Sequence, residues 1–155
     1  MVKMGWKIRD VREDQDMTQK ELAKKLNVKR STYTMWELGD VNFPIEKIVE
    51  IAKLFHTNVD YLLDLTTNKE EVLYPEQVDN ALIGRKLKEF RTKTNKTQKE
   101  FAYLLGIRQS TYFYYEEGRN RIPTEKLILL AKTYRIPVSK FCGGKKKAKE
   151  SITTR

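Results

Sequence analysis

Apolar residues recur along the chain at helical spacing, in short blocks separated by polar turns. Near the N-terminus, Met4, Ile8 and Val11 fall on one face of a helix. No segment has the strict apolar–polar alternation of a half-buried β-strand. The pattern therefore predicts an all-α fold, and the next helices take their apolar faces from Leu22, Ala23 and Leu26, from Ile48, Ile51, Ala52 and Phe55, and from Val59, Leu62 and Leu63.

Capping residues mark where the second and third helices begin and end. Thr18 and Glu21 have the spacing of a capping box, in which each side chain bonds the other residue's backbone amide. Asn27 ends that helix, since asparagine accepts the left-handed conformation of a helix C-terminus. The third helix is predicted from about Arg30 to Leu38, with Gly39 as its stop. Two helices joined by so short a turn predict a helix-turn-helix.

The same pattern occurs twice. Residues 4–63 align without a gap on residues 83–142, at an offset of 79 positions, and 20 of the 60 aligned positions are identical. A period of this kind indicates a duplicated structural unit. We therefore predict two tandem five-helix units, the first unit (1–66) and the second unit (81–142). A polar, acidic linker (67–80) with room for a short helix separates them, and a disordered basic tail (143–155) follows.

Charge is distributed unevenly between the two units. The 155-residue chain has a formal net charge of +10. The first unit is neutral, the linker carries −3, the second unit +9 and the tail +4. Because an excess of positive charge suits a polyanionic partner, the second unit is the better candidate for contact with phosphate groups. The tail is either a solvated end or a basic arm that adds nonspecific affinity.

Several classes of function lack the residues they need. Cys142 and His56 are the only cysteine and histidine, and one of each, far apart in sequence, makes neither a metal site nor a nucleophile–base pair. There is no glycine-rich phosphate loop, so we expect no enzyme and no cofactor. No apolar run approaches the roughly 18 residues of a membrane span, and no signal peptide is visible. We expect a cytoplasmic protein with no membrane partner.

One stretch of each unit carries the motif of a known family. The sequences "TQKELAKKLNVKRSTYTMWELG" and "TQKEFAYLLGIRQSTYFYYEEG" both combine Thr-Gln-x-Glu-hydrophobic-Ala with a later aromatic-Glu-x-Gly. They resemble the lambda-repressor-like helix-turn-helix family, also called the XRE family. The resemblance covers about 120 residues. It implies that each unit is a DNA-binding domain whose third helix enters the major groove.

The resemblance also implies which residues meet DNA. In this family the third helix meets base edges, while the first turn of the second helix and the loop after the third meet the backbone. The implied base-reading residues are Arg30, Ser31, Thr34 and Met35 in the first unit and Gln109, Ser110, Phe113 and Tyr114 in the second. The implied backbone contacts are Gln19, Gln98, Arg119 and Arg121.

The residue before each third helix adds a physical argument. Lys29 and Arg108 stand where many members of the family have a serine or threonine cap. A cation at a helix N-terminus opposes the helix dipole and costs about 0.3–1 kcal/mol. A phosphate group bound there would account for both cations, and the alternative is that the two side chains extend into water.

Two further features repeat in register within the motif. Arg12 and Glu37 of the first unit correspond to Arg91 and Glu116 of the second. By resemblance, each pair forms a semi-buried ion pair between the first and third helices. We assign these pairs a structural role.

The second unit's third helix contains four consecutive aromatic residues. Tyr112 and Tyr115 align with Tyr33 and Trp36 and share one helix face, so they are predicted to lie in the core or at its edge. Phe113 and Tyr114 are predicted to face outward. There they contact thymine methyl groups, the linker or another protein chain.

These observations lead to two hypotheses of different class. The first is a sequence-specific regulator of transcription, a repressor, that binds double-stranded DNA. Both units then bind adjacent half-sites, or the second unit binds DNA while the first forms a homodimer or contacts a partner. The alternative is a protein-interaction module of the antitoxin or antirepressor type, which binds a protein partner through outward aromatic residues such as Phe113 and Tyr114.

Overall fold

The first unit is a bundle of five short helices. The structure is a computed structural model and describes residues 6–147. Within that range, the helical fold that the apolar spacing predicts is confirmed. The first unit consists of α1 (Ile8–Asp14), α2 (Gln19–Lys25), α3 (Arg30–Leu38), α4 (Ile45–Leu54) and α5 (Val59–Leu62).

The second unit repeats this order with one difference. Its helices are α6 (Asn80–Lys93), α7 (Gln98–Leu105), α8 (Gln109–Glu116) and α9 (Thr124–Tyr134). The fifth element, Val138–Cys142, is a 3₁₀ helix, η1, where the first unit has the α-helical turn α5. No helix within residues 6–147 is both long enough and apolar enough to cross a membrane.

The duplication in sequence is also a duplication of backbone conformation. Among the described residues, ten have a positive φ, and they form five pairs separated by 79 positions. Asn27 (φ 59°) and Gly106 (φ 67°) end the second helix of each unit, as the sequence predicts. The other pairs, each also at a helix end or turn, are Asp16 with Asn95, Gly39 with Gly118, His56 with Arg135, and Asp64 with Gly143.

The helix-turn-helix of each unit is fixed by equivalent contacts. The predicted capping box of Thr18 and Glu21 forms, and Thr97 and Glu100 form the same box in the second unit. In each box the threonine hydroxyl accepts from the glutamate amide, and the glutamate carboxylate accepts from the threonine amide. At the other end of α2, the ammonium of Lys47 donates to the carbonyl of Leu26 at 2.9 Å. Lys126 donates to the carbonyl of Leu105 in the same way, at 2.8 Å. A cation at a helix C-terminus is favoured by the helix dipole.

The apolar faces of both units join a single cluster of buried residues. It contains Leu22, Ala23 and Leu26 of α2 and their counterparts Phe101, Ala102 and Leu105 of α7. Because the cluster continues from one unit into the other, the two units are packed against each other and are not joined by a flexible linker alone.

The linker and the start of the tail differ from the sequence prediction. No helix forms between Leu62 and Asn80, so the linker does not contain the short helix for which it has room. Instead, β1 (Val72–Leu73) pairs antiparallel with β2 (Lys145–Lys146). Residues 143–147 of the predicted disordered tail are therefore ordered against the linker, since the linker offers unpaired backbone groups that two extended residues can bond. The remainder of the predicted tail lies outside the described residues.

Candidate nucleic-acid interface

The N-terminus of α3 is cationic and has no side-chain cap. Lys29 precedes the helix in an extended conformation (φ −69°, ψ 145°), and its side chain makes no capping hydrogen bond. Lys29, Arg30 and Ser31 are all exposed. The polar side chains of these three residues are therefore accessible to solvent, and no side chain caps the amides at the helix N-terminus. This arrangement is suited to binding an anion.

The N-terminus of α8 has the same arrangement. Arg108 precedes the helix with φ −73° and ψ 148°, again without a side-chain cap. Arg108, Gln109 and Ser110 are exposed. The structure therefore places three of the predicted residues of each unit at one helix end, the N-terminus of α3 in the first unit and that of α8 in the second.

A buried ion pair anchors α3 to α1. Arg12 makes two parallel hydrogen bonds to Glu37, with Nε 3.0 Å from Oε2 and Nη2 2.9 Å from Oε1. The two side chains are only 8% and 6% exposed, which confirms the predicted pair and makes it more buried than the sequence suggested. The third guanidinium nitrogen of Arg12, Nη1, donates to the carbonyl of Met17 at 2.7 Å. Arg12 therefore joins the C-terminal turn of α3 to α1 and to the residues just before α2.

Glu37 ionises easily in spite of this burial. Burial opposes its charge, but hydrogen bonds from Arg12, Tyr33 and Gln19 outweigh burial and lower its pKa below the ordinary value. The Tyr33 hydroxyl donates to Oε2 at 2.5 Å, and burial together with this carboxylate raises the pKa of Tyr33. The ion pair therefore stays charged at neutral pH and holds α3 rigidly.

The second unit repeats the ion pair, but the hydroxyl of Tyr112, the counterpart of Tyr33, is buried without a hydrogen-bond partner in the described part of the chain. Nε of Arg91 donates to Oε2 of Glu116 at 2.6 Å, and Nη2 of Arg91 donates to Oε1 of Glu116 at 3.1 Å. Burial opposes the charge of Glu116, and the hydrogen bonds it accepts again lower its pKa. Arg91 also donates to the carbonyl of Lys96 at 2.8 Å, as Arg12 does to that of Met17. Equivalent side chains thus position α8 as they position α3.

The first glutamine of each second helix belongs to this network. Nε2 of Gln19 donates to Glu37, and Nε2 of Gln98 donates to Glu116, each at 3.0 Å. An amide nitrogen has two hydrogens, so one remains in each case for a phosphate oxygen. The family resemblance predicted that both glutamines contact the backbone of DNA, but it did not reveal that a buried carboxylate orients them.

Thr34 distinguishes the two units at this point. Its hydroxyl donates to Oε1 of Gln19 at 2.8 Å, so both ends of that amide are held. Phe113 occupies the corresponding position in the second unit and has no hydroxyl to donate. The amide of Gln98 is therefore held at one end only, among the described residues.

The four aromatic residues of α8 separate into two pairs, as predicted. Tyr112 is fully buried and Tyr115 is 8% exposed, whereas Phe113 and Tyr114 are 38% and 37% exposed. Tyr115 faces the core edge, as Trp36 does at 8% in the first unit.

The outward pair forms its own small cluster. The rings of Phe113 and Tyr114 meet edge to face at 5.6 Å, and the guanidinium of Arg119 lies 5.5 Å from the centre of the Tyr114 ring. A cation over a ring face is held there by the ring's negative centre. Arg119, in the loop after α8, is thereby brought next to the predicted base-reading residues. On the first unit, Met35 is 46% exposed at the equivalent of Tyr114.

Arg121 lies elsewhere. Its Nη2 is 3.1 Å from Oε2 of Glu46 in the first unit, so this arginine joins the two units. The sequence grouped Arg121 with Arg119 as backbone contacts, but the structure separates them. An interaction between residues 75 positions apart leaves no local sequence signal.

Other chemistry is not apparent in the described range. Residues 6–147 contain no group of three or more histidine, cysteine, aspartate or glutamate side chains that could hold a metal ion. Cys142 is a free, buried thiol, and burial raises its pKa.

Comparisons with known proteins agree with this architecture. The family model HTH_3, described as Helix-turn-helix, matches residues 8–62 and again residues 87–141. These two matches are offset by 79 residues, the same register as the internal repeat.

Three curated proteins are similar to the chain. The uncharacterized HTH-type transcriptional regulator YobD of Bacillus subtilis is 30% identical over 87 residues, which are 56% of this chain and 70% of YobD. The cryptic phage CTXphi transcriptional repressor RstR of Vibrio cholerae is 28% identical over 106 residues, covering 61% of this chain and 96% of RstR. An uncharacterized HTH-type transcriptional regulator of Archaeoglobus fulgidus is 37% identical over 59 residues, covering 38% of this chain and 84% of that protein.

No solved structure matches the chain. The matched segments nevertheless span most of the chain, and each contains its own buried arginine–glutamate pair and its own capping box. The chain therefore belongs to the HTH_3 helix-turn-helix family, the XRE family, and carries its domain twice.

Proposed function

We propose that the protein is a sequence-specific regulator of transcription, a repressor, that binds double-stranded DNA in the major groove through α3 and α8. The observation that carries the proposal is the pair of uncapped, cationic helix N-termini, Lys29–Arg30 and Arg108–Gln109, on helices anchored by buried ion pairs. Family membership and the names of the three relatives support the same function.

The residues at and near the two helix N-termini have the following roles in this proposal. Arg30 donates two hydrogen bonds to guanine O6 and N7, and Gln109 makes two to adenine N6 and N7. Ser31 and Ser110 contact neighbouring base edges, and Met35 and Phe113 contact thymine methyl groups. Backbone phosphates are bound by Lys29, Arg108, Arg119 and the free amide hydrogens of Gln19 and Gln98.

In this proposal the protein represses transcription by occupying its operator. A protein of this size bound at an operator excludes polymerase from the same DNA, and no catalytic step is needed. The function requires access to DNA, and we therefore also propose a cytoplasmic location. The proposed DNA-binding units are the first unit (1–66) and the second unit (81–142).

Titration of the full chain with its preferred DNA tests the proposal. The preferred DNA is obtained by in vitro selection from a random library. Because each phosphate contact releases counterions, the logarithm of the affinity should fall with the logarithm of salt concentration, with a slope of about −0.9 per contact. An affinity that is independent of salt would contradict the proposal.

Matched variants identify the base-reading residues. Arg30→Ala and Gln109→Ala should each weaken binding to the selected DNA about 10- to 100-fold. Lys24→Ala removes one exposed positive charge, as Arg30→Ala does, but from the far end of α2. Gln77→Ala is the neutral control in the linker. Both controls should bind nearly as the wild type does.

The outward aromatic cluster gives a second candidate function some support. Exposed aromatic residues are typical of protein interfaces, and Phe113 and Tyr114 are the exposed pair here. If the helices bind a protein instead, Arg30→Ala and Gln109→Ala will leave DNA affinity unchanged, while Phe113→Ala with Tyr114→Ala abolishes capture of the partner. The comparisons favour the DNA-binding function.

A further inference from the structure

The two units meet through residues that occupy equivalent positions in the repeat. Asp60 of the first unit corresponds to Ser139 of the second, and these two residues contact each other. The carboxylate of Asp60 accepts hydrogen bonds from the amide of Val138 at 2.6 Å, the amide of Ser139 at 3.1 Å and the hydroxyl of Ser139 at 2.7 Å. All three residues are buried. A residue that contacts its own counterpart lies close to an axis that relates the two units.

A second contact patch has the same property. Residues 42–46 of the first unit meet residues 121–124, whose counterparts are residues 42–45. The amide of Thr124 donates to Oδ1 of Asn42 at 2.9 Å, and its hydroxyl donates to the carbonyl of Phe43 at 2.6 Å. On the other side of the patch, Arg121 is paired with Glu46 at 3.1 Å. We call these two patches together the junction.

Contacts between like positions define how the units are arranged. A surface that meets its own equivalent is related to it by a twofold rotation, whereas a head-to-tail repeat brings two different surfaces together. The junction is of the first kind in both of its patches. The first and second units are therefore arranged as the two subunits of a twofold dimer are, but within one chain.

The linker is built into this arrangement. The hydroxyl of Tyr74 accepts from the amide of Val59 at 2.8 Å and lies 2.7 Å from Oγ of Ser139. Since the Ser139 hydroxyl gives its hydrogen to Asp60, Tyr74 donates to Ser139. One side chain of the linker thus bonds both units beside the axis, and β1 and β2 fasten the linker to the tail.

The junction is chemically specific for pairing a first unit with a second unit. Two first units placed in the same arrangement would bring Asp60 against another Asp60, and like charges repel in a buried site. Two second units would oppose Ser139 to Ser139, with no carboxylate to accept from the buried amides. Asp60 and Ser139 are thus a pair of equivalent positions at which the two copies differ and at which identical side chains would not fit.

We propose that a single chain occupies a complete operator, with α3 and α8 held as a twofold-related pair that reads two inverted half-sites of different sequence. The proposal rests on the DNA-binding function proposed above. A twofold protein reads half-sites in inverted orientation, separated by about one helical turn. No second chain is needed, because the second unit takes the place of the dimer partner.

The two half-sites differ because the two reading helices differ. Arg30 faces DNA where the second unit has Gln109, and Met35 where the second unit has Tyr114. Arginine selects guanine and glutamine selects adenine. The operator is then an inverted repeat in geometry but not a palindrome in sequence, so the protein binds it in one orientation only.

In vitro selection with the full chain, followed by native mass spectrometry of the complex, tests this proposal. We expect two dissimilar half-sites in inverted orientation and one chain per DNA duplex. Selection with Arg30→Ala should lose base preference in one half-site only, and selection with Gln109→Ala in the other. A palindromic site, two half-sites in direct orientation, or two chains per duplex would each overturn the proposal while leaving DNA binding intact.

Rearranged DNA gives a second test that needs no protein variant. Reversing one half-site should weaken binding about 100-fold, because one unit loses its base contacts. Inserting about five base pairs, half a helical turn, between the half-sites should have a similar effect, since the junction holds the units rigidly. Affinity that tolerates both changes would overturn the fixed pair. Selection that enriches no sequence would instead overturn the proposed function.

Discussion

The carboxylate of Asp60 accepts the hydroxyl hydrogen of Ser139 at 2.7 Å, and the two residues hold the same position in the two copies of the repeat. An exposed position would tolerate any pair of side chains. Here both residues are buried, 7% and 5% exposed, so each must satisfy the other. Two identical copies of the unit could not make this contact, because it needs a carboxylate in one copy and a hydroxyl at the same position in the other.

Asp60→Asn should loosen the junction. The amide nitrogen of asparagine donates, and it would face the amides and hydroxyl that the carboxylate now accepts from. We expect the free energy of unfolding to fall by about 1–3 kcal/mol for the buried groups left unpaired, measured by urea denaturation. Asp64→Asn is the matched control, because Asp64 is 48% exposed in a surface pair with Lys7 and should change stability by less than about 1 kcal/mol. Equal effects would contradict the role given to Asp60.

Arg12→Ala should be severely destabilising. It leaves the carboxylate of Glu37 buried without its cation, and the loss of one partner of a buried pair costs about 3–5 kcal/mol. Arg9→Ala removes the same side chain from the same helix, but Arg9 is 67% exposed and pairs with Glu13 on the surface. That control should cost no more than about 0.5 kcal/mol. Guanidinium denaturation of both variants makes the comparison, and a similar loss in both would refute the buried anchor.

Acid should weaken both units through the same carboxylates. Glu37 and Glu116 have folded-state pKa values below the ordinary value of 4.5. A group with a lowered pKa contributes stability that is fully present above 4.5 and is lost as pH falls through its folded pKa. The free energy of unfolding should therefore decline steadily below pH about 4.5. Glu37→Gln cannot titrate, so its unfolding free energy should depend less on pH over this range, and an unchanged pH dependence would argue against the assignment.

Gly84→Ala should displace the second unit's reading helix. A Cβ at Gly84 would lie 2.5 Å from the carbonyl oxygen of Glu116 and 2.6 Å from that of Tyr115, both backbone atoms of α8. Overpacking of this kind costs about 1–3 kcal/mol, and α8 must move away from α6. We expect a lower melting temperature together with weaker binding to the selected DNA.

Gly106→Asn is the control for that variant. Gly106 has φ +67° but no atom within 4 Å of a Cβ. Asn27 already holds the same position in the first unit at φ 59°. Stability and DNA affinity should both stay close to those of the wild type. If Gly84→Ala behaves like this control, the close approach of α6 and α8 does not matter for binding.

The helices and their ends were predictable because they depend on local chemistry. The capping boxes at Thr18 and Thr97, the left-handed stops at Asn27 and Gly106, and the inward pair Tyr112 and Tyr115 all follow from residues within one or two helical turns. The pair of Arg12 and Glu37 spans 25 residues, and it was predicted because the family resemblance implies it and because both residues recur at an offset of 79.

The two helical units, their helix-turn-helix motifs and the residues that these expose could be predicted from the sequence, because each depends on spacing, capping and apolar periodicity. How the two units pair could not be predicted and is seen only in the folded structure. Contacts such as Asp60 with Ser139 and Glu46 with Arg121 join residues 75 or more positions apart, and they fall mainly where the copies differ. Alignment of the two copies shows the residues that they share. The junction depends instead on unlike side chains, which come into contact only when both units have folded.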